Sequence, residues 1–304
     1  MTRTAGNSDH RVTIIVPTYR DWARMALCLQ SLAAQTYPAS LVEILVVNNE
    51  PSDPPPHDLC APANCRILDE PKKGSYAARN AAVKEATGDI VLFTDSDCRP
   101  EPDWCAQAVA FLATHKEVRR MGGDIRLGTN EGPTTVADVY ESAFAFPIRK
   151  YVGRGWAPTA NMGVWRDTFD RVGTFQDGFY SGGDGEWGRR AQQHGFPIGY
   201  CPEAVVTHPA RSLSDILRKR RRISGARLRR RIEEHGRLPE MIGFVFRALR
   251  RLLPPTSPVK HLVRLKSAPI RLRWAAYFFI YYLRLDNEVT RARILFLNAE
   301  PEHR

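Results

Sequence analysis

Residues 90–97 read Ile-Val-Leu-Phe-Thr-Asp-Ser-Asp, and the fold turns on how this octapeptide is taken. Ile90 to Thr94 are mostly β-branched or aromatic and contain no Gly or Pro, which predicts a buried strand. The run then stops at two carboxylates one residue apart, Asp95 and Asp97. Such a pair repels unless a cation lies between the two or the side chains diverge. The strand tip is therefore expected to hold a ligand.

Working outward, the same grammar repeats. Residues 12–20 (VTIIVPTYR) read as a buried strand entering a loop, and residues 21–35 as a helix. Residues 41–50 (LVEILVVNNE) form a second strand and 66–70 (RILDE) a weak third. A helix over 74–88 closes at Gly88, and the strand at 89–97 is the fourth. Strands alternating with helices predict an α/β fold with a mainly parallel sheet and helices on both faces. Ligands of such sheets collect beyond the carboxyl ends of the strands. Those ends are Pro17-Thr18-Tyr19, Asn48-Asn49-Glu50 and Asp95-Ser96-Asp97. Further on, a helix over 103–115, a strand over 118–127, a helix over 185–195 and a strand over 198–208 are expected. Two acids at a buried strand tip offer hard oxygen ligands to Mg²⁺ or Mn²⁺. Such a metal bridges phosphates, so a nucleotide diphosphate is the candidate ligand.

With 304 residues, 43% hydrophobic and 25% charged, the chain reads as a soluble globular protein. The polar start (MTRTAGNSDHR) lacks a signal-peptide pattern, so residues 1–10 are read as a loose tail and the protein as cytoplasmic. The six cysteines show no CxxC and no zinc spacing, and are expected as free thiols. Charge is divided unevenly. Residues 1–210 hold 21 Lys and Arg against 25 Asp and Glu, whereas 211–304 hold 23 against 8. A basic C-terminal third points to an anionic partner.

Five segments then come in a telling order: TIIVPTYR, ILVVNNEPSD, KGSYAARNAAVKEATGDIVLFTDSDCRPEPDW, TANMGVWRDTFDRVGTF and GGDGEWGRRAQQHG. In this order the chain resembles family 2 glycosyltransferases, which have the GT-A fold, over residues 11–211. The resemblance implies an inverting, metal-dependent transferase that takes a sugar from a nucleotide-diphosphate donor, with UDP the expected nucleotide. The acceptor would be a glycan or a lipid-linked molecule of cell-envelope polysaccharide biosynthesis.

Residue by residue, the resemblance places Pro17, Thr18 and Tyr19 in the nucleoside pocket. Asn48 stands where similar enzymes carry an Asp that reads uracil N3–H. An amide accepts through its oxygen and also donates, so the base stays open. Arg79 would point at the pyrophosphate. Asp95 would meet the ribose or a metal-bound water, with Ser96 beside it among the donor contacts. Asp97 and His208 would ligate Mn²⁺ or Mg²⁺. Asp184 falls at the catalytic-base position, where it also suits a helix N-cap. Gly183 replaces the usual Glu beside it. Glu186 and Arg190 complete that motif, while Asn161 and Trp156 would touch donor sugar or acceptor, with core packing the alternative for the Trp.

Residues 212–304 match no family pattern and read as basic amphipathic helices. The apolar run 274–283 (WAAYFFIYYL) has ten residues, about half of what a spanning helix needs. Aromatics beside Arg instead suit an anionic membrane surface, which would make the protein peripheral on the inner face of the cell membrane. A nucleotidyltransferase is the alternative enzyme, but the loop after the first strand lacks its Gly-rich basic pattern. A nucleic-acid-binding protein is the non-enzymatic alternative. No base-reading motif is present, so no nucleic-acid partner is expected.

Overall fold

The computed structural model describes residues 10–128, 134–179, 181–266 and 268–297. The expected tail at 1–10 lies outside the described residues except for His10. The chain forms two compact units, one of residues 1–126 and 147–208, the other of residues 127–146 and 209–304.

The first unit carries an eight-stranded sheet. Its elements are β1 (Val12–Thr18), α1 (Trp22–Ala33), β2 (Val42–Asn48), β3 (Cys65–Asp69), α2 (Ser75–Glu85), β4 (Ile90–Thr94), β5 (Arg99–Pro100), α3 (Trp104–Thr114) and β6 (Arg120–Leu127). After α4 (Val136–Phe144), which belongs to the other unit, come α5 (Ile148–Val152), β7 (Asn161–Trp165), α6 (Asp167–Val172), α7 (Gly183–Gln193) and β8 (Ile198–His208). The strand order is β3-β2-β1-β4-β7-β6-β8-β5. The pairs β1–β2, β1–β4 and β2–β3 are parallel. Beyond β4 the sheet turns antiparallel, because β7 runs against both β4 and β6, and β5 runs against β8. The parallel half matches the expected β-α-β pattern. In the antiparallel half β6 and β8 fall where strands are expected, whereas β5, β7 and α6 are not signalled by the sequence that forms them.

Register sets the level of the strand tips. Thr18 of β1 lies opposite Asn48 of β2, and Asn48 lies opposite Asp69 of β3. β1 and β4 are buried throughout, as is β2 apart from Glu43. Behind the tips, Phe93, Phe169, Phe175 and Trp187 pack with ring centroids 4.9–6.0 Å apart. They fix β4, α6 and α7 in one core.

The second unit is helical: α4, α8 (Leu213–His235), α9 (Arg237–Arg251), α10 (Ser257–Arg264) and α11 (Ile270–Leu297). The sequence reading left 127–146 inside the catalytic segment. Its α4 instead packs Ala137 and Tyr140 on Ile216 and Leu283, and Val139 on Leu262 and Ala276. A capping box starts α4, with Thr135 Oγ1 accepting from the Asp138 N–H at 3.2 Å and Asp138 Oδ2 accepting from the Thr135 N–H at 2.7 Å. The few acids of this unit pin part of its positive charge internally. Glu141 pairs with Arg211 at 3.0 Å, Asp286 takes two hydrogen bonds from Nε and one from Nη2 of Arg221, and Glu288 accepts from Arg251 at 2.7 Å.

Gly88 marks the tightest backbone approach in the parallel half. A Cβ there would lie 2.5 Å from the Thr13 nitrogen and 2.7 Å from the Val12 carbonyl carbon. Both are main-chain atoms of β1 and cannot turn aside. Gly88→Ala is expected to destabilise by about 2 kcal/mol, roughly 4–8 °C in melting temperature for a unit of this size. Calorimetry of the variant checks this, and an unchanged transition would mean that the loop yields.

Candidate active site

The opening pair of carboxylates is resolved by divergence. Asp95 forms an ion pair with Arg79, which α2 delivers with its side chain 5% exposed. Asp97 turns the other way, toward His208 at the end of β8, with Oδ2 and Nε2 3.5 Å apart. The β5–β8 register explains the meeting. Arg99 pairs with Thr207 and Pro100 with Val206, so one step back along the ladder sets residue 98 against His208. A carboxylate oxygen and an imidazole nitrogen at this spacing fit a small divalent cation of Mn²⁺ type. Cys98, which sequence reasoning did not single out, brings its Sγ within 4.8 Å of both ligand atoms. Its burial, and then the two carboxylates, hold the thiol protonated far above its ordinary range.

At the tip of β1, Thr18 and Pro17 are buried and Tyr19 is partly exposed. The Thr18 hydroxyl has no hydrogen-bond partner, and an orphaned buried hydroxyl is costly. Arg20 holds a left-handed backbone with φ 52° and reaches Glu50 at 3.2 Å, tying the tips of β1 and β2 together. Asn48 departs from the role expected for it. Its Nδ2 donates to the Asp53 carbonyl at 3.2 Å and to Asp69 Oδ1 at 3.1 Å, and its oxygen accepts from the Glu50 N–H at 3.1 Å. The amide thus organises its own loop. The exposed acid at this level is Asp69 of β3. Sequence reading passed over Asp69 because it ends a short and weak strand.

The second acidic site sits at the start of α7. Asp184 accepts from the Gly185 N–H at 2.8 Å and from the Tyr76 hydroxyl at 3.3 Å. The Tyr76 oxygen in turn accepts from the Asp184 N–H at 3.2 Å. Asp184 does not cap the helix, whose N-cap is Gly182 in the left-handed region at φ 83°. Desolvation pushes the Asp184 carboxyl above the ordinary Asp range, with Asp95 adding to the rise. The Gly185 N–H, the Arg79 charge and the Tyr76 hydroxyl oppose it. Tyr76, missed in the sequence, also lies under Arg79, with the guanidinium carbon 5.7 Å from the ring centroid. Asp184, Tyr76, Arg79 and Asp95 therefore form one connected series. The place of Gly183 is explained by the same ring: a Cβ at 183 would meet Tyr76 Cε2 at 2.7 Å.

Among the expected sugar or acceptor contacts, Asn161, Glu186 and Arg190 take other parts. Asn161 is fully buried, donating from Nδ2 to the carbonyls of Asp124 (2.7 Å) and Ala204 (2.9 Å) and accepting from Trp104 Nε1 at 2.9 Å. It bolts β6, β8 and α3 together and presents nothing to a ligand. Arg190 holds Glu186 at 3.0 Å and donates to the carbonyls of Val172 and Thr174, so this pair ties α7 to the end of α6. Trp156 is partly buried, stacked on Tyr151 with centroids 4.2 Å apart.

With this geometry in place, comparison with known proteins is informative. Residues 13–146 match the pattern of Glycosyl transferase family 2. Glycosyltransferase AglE of Haloferax volcanii is 32% identical over 218 residues, covering 70% of this chain and 71% of that one. Pre-mycofactocin glycosyltransferase of Mycobacterium tuberculosis is 24% identical over 216 residues, covering 68% of this chain and 44% of its own length. Among solved structures, mannosyltransferase PcManGT from Pyrobaculum calidifontis, in complex with GDP-Man and Mn²⁺, superposes with TM-score 0.60 at 20% identity, covering 96% of this chain and 88% of that one. The fold is the GT-A fold of nucleotide-sugar glycosyltransferases. The chain belongs to glycosyltransferase family 2 and is a glycosyltransferase.

Asn161→Ala is expected to leave the carbonyls of Asp124 and Ala204 and the Trp104 N–H without partners, at a cost on the order of 3 kcal/mol. The melting temperature should fall while affinity for nucleoside diphosphate in the surviving folded fraction holds. Selective loss of nucleotide binding without destabilisation would restore a ligand contact for Asn161.

Proposed function

We propose that this enzyme transfers a sugar, with inversion, from a nucleoside-diphosphate donor to a hydroxyl of a glycan or lipid-linked acceptor in cell-envelope polysaccharide synthesis. The single observation that supports it most is the connected series from Asp184 through Tyr76 and Arg79 to Asp95, with Asp97 and His208 beside it. A carboxyl of raised pKa is thus linked through Tyr76 and Arg79 to the acid that precedes the Asp97–His208 pair. PcManGT, which carries GDP-Man and Mn²⁺ in its structure, and TarS of Staphylococcus aureus, whose structure holds UDP-GlcNAc, share the fold and favour a nucleoside-diphosphate donor.

Pro17, Thr18 and Tyr19 line the nucleoside at the β1 tip, and the unpartnered Thr18 hydroxyl has a use there. Asp95 and Ser96 face the donor, and Arg79 balances its diphosphate. Asp97 and His208 hold Mn²⁺ or Mg²⁺, which when bound neutralises charge on the diphosphate. Asp184 takes the proton from the acceptor hydroxyl as that oxygen bonds to the anomeric carbon. The bond from that carbon to the β-phosphate oxygen breaks on the opposite face, and the nucleoside diphosphate leaves with the electron pair. Trp156 flanks the acceptor side. The enzyme acts as a peripheral protein on the cytoplasmic face of the membrane; among the described residues, no helix is long and apolar enough to cross one.

A donor is chosen by thermal shift over a panel of nucleotide sugars with Mn²⁺, and nucleoside-diphosphate release then follows turnover. Asp184→Asn should lower kcat by about 10²–10⁴-fold while donor binding is kept. Turnover at the wild-type rate would remove Asp184 as the base. The base works deprotonated, so activity falls as pH drops through its raised pKa, and the acid limb of kcat/KM should lie above that of an ordinary Asp. Tyr76→Phe deletes a hydrogen bond that lowers this pKa, and should move the limb higher still. A limb that moves down or stays fixed would contradict that role for Tyr76.

A further inference from the structure

Large apolar side chains that face solvent are concentrated in one part of the chain. Among the described residues, fifteen of the eighteen exposed large hydrophobics fall between Leu238 and Leu297. Their spacing is helical. On α9, Leu238, Ile242, Val245 and Phe246 follow at i, i+4, i+7 and i+8, with Phe246 79% exposed. On α10, Val259 and Val263 are exposed one turn apart while Pro258 and Leu262 are buried. On α11, Ile270, Trp274, Phe278 and Tyr282 recur at every fourth position, and Trp274 is 57% exposed. The opposite side of α11 is already occupied, since Ala276 and Leu283 lie inside the helical core. Each helix therefore satisfies one apolar face within its unit and has a second to place elsewhere.

Beside these stripes stand exposed cations. Lys260 and Arg264 follow Val259 and Val263 by one residue, Arg271 follows Ile270, and Lys266 lies between the two helices. Residues 211–304 carry 23 Lys and Arg against 8 Asp and Glu, and of those acids Asp215, Glu240, Asp286 and Glu288 are already paired internally. A second copy of this chain would bring the same excess of positive charge against the same face and be repelled. A surface of fixed negative charge over an apolar interior fits both the stripes and the cations, with Trp and Tyr at the boundary.

We propose that the outward apolar stripes of α9, α10 and α11, with the cations along them, form a face that seats the protein on an anionic lipid bilayer. The face names the partner surface for the peripheral placement described above and rests on that placement. It does not depend on the assignment of the catalytic base.

The test is flotation of the full-length chain with vesicles of phosphatidylcholine alone or mixed with phosphatidylglycerol. The wild type should float with the mixed vesicles and stay at the bottom with the neutral ones. Ile242→Ser/Phe246→Ser/Trp274→Ser/Phe278→Ser should lose more than about tenfold in partition. Lys260→Glu/Arg264→Glu/Arg271→Glu should lose roughly 100-fold, an effect that added salt mimics. All seven positions are outside the core, so both variants should keep the wild-type melting temperature and the Mn²⁺-dependent thermal shift with nucleoside diphosphate. Wild-type flotation by either variant, no flotation of the wild type, or equal flotation with neutral vesicles overturns the inference. So does wild-type self-association, seen by light scattering, that the apolar variant abolishes, because the face would then belong to a second copy. Flotation that persists alongside full turnover by Asp184→Asn would instead discard the catalytic assignment and leave the docking face standing.

Discussion

Two negative charges placed one residue apart at the end of a buried strand set the terms for the first unit. Asp95 and Asp97 cannot share an environment, and the fold separates them by giving each a partner from a different element. Arg79 comes from α2 and His208 from the end of β8. The price of bringing Arg79 there is that a guanidinium sits almost wholly out of water, with its Nε unpartnered. That is tolerable because a carboxylate faces it and the Tyr76 ring lies alongside. The same arrangement joins Asp95 at the strand tip to Asp184, so the electrostatics of the β4 tip and of the start of α7 are coupled through one arginine and one tyrosine.

The legible part of the fold was the part written in local periodicity. Strands β1, β2 and β4, and helices α1 and α2, follow from runs of β-branched residues and from spacing, and their parallel pairing follows from the alternation. In the antiparallel half β6 and β8 lie where strands are expected, but β7 (Asn161–Trp165) was not legible, because it contains a glycine and an asparagine and gains its strand character from the neighbours it lies between. Helix α4 had a signal that could have been used, the Thr135-x-x-Asp138 capping box. What no local pattern contained was its partnership with residues more than seventy positions later.

The site shows the same division. Similarity of motif named candidate residues but did not say which way they point. Asn161 and Arg190 stand where the motif puts them, and both are turned inward to hold backbone carbonyls. Asn48 is likewise committed to Asp53, Asp69 and Glu50. Orientation depends on hydrogen-bond partners supplied by distant segments, so it belongs to tertiary structure. Tyr76 and Asp69 escaped notice for the complementary reason. One reads as an ordinary helix aromatic and the other as the end of a marginal strand, and only their neighbours make them conspicuous.

The contact between Gly183 and the Tyr76 ring carries a consequence for how this active site can vary. The two positions draw on a single parcel of volume: a side chain on one is possible only as the other shrinks. A side chain at 183 would have to displace the Tyr76 ring, and with it the hydroxyl that hydrogen-bonds Asp184. A side chain at 183 and the Tyr76 ring in its present place thus compete for one volume, and a substitution at 183 requires the ring to move.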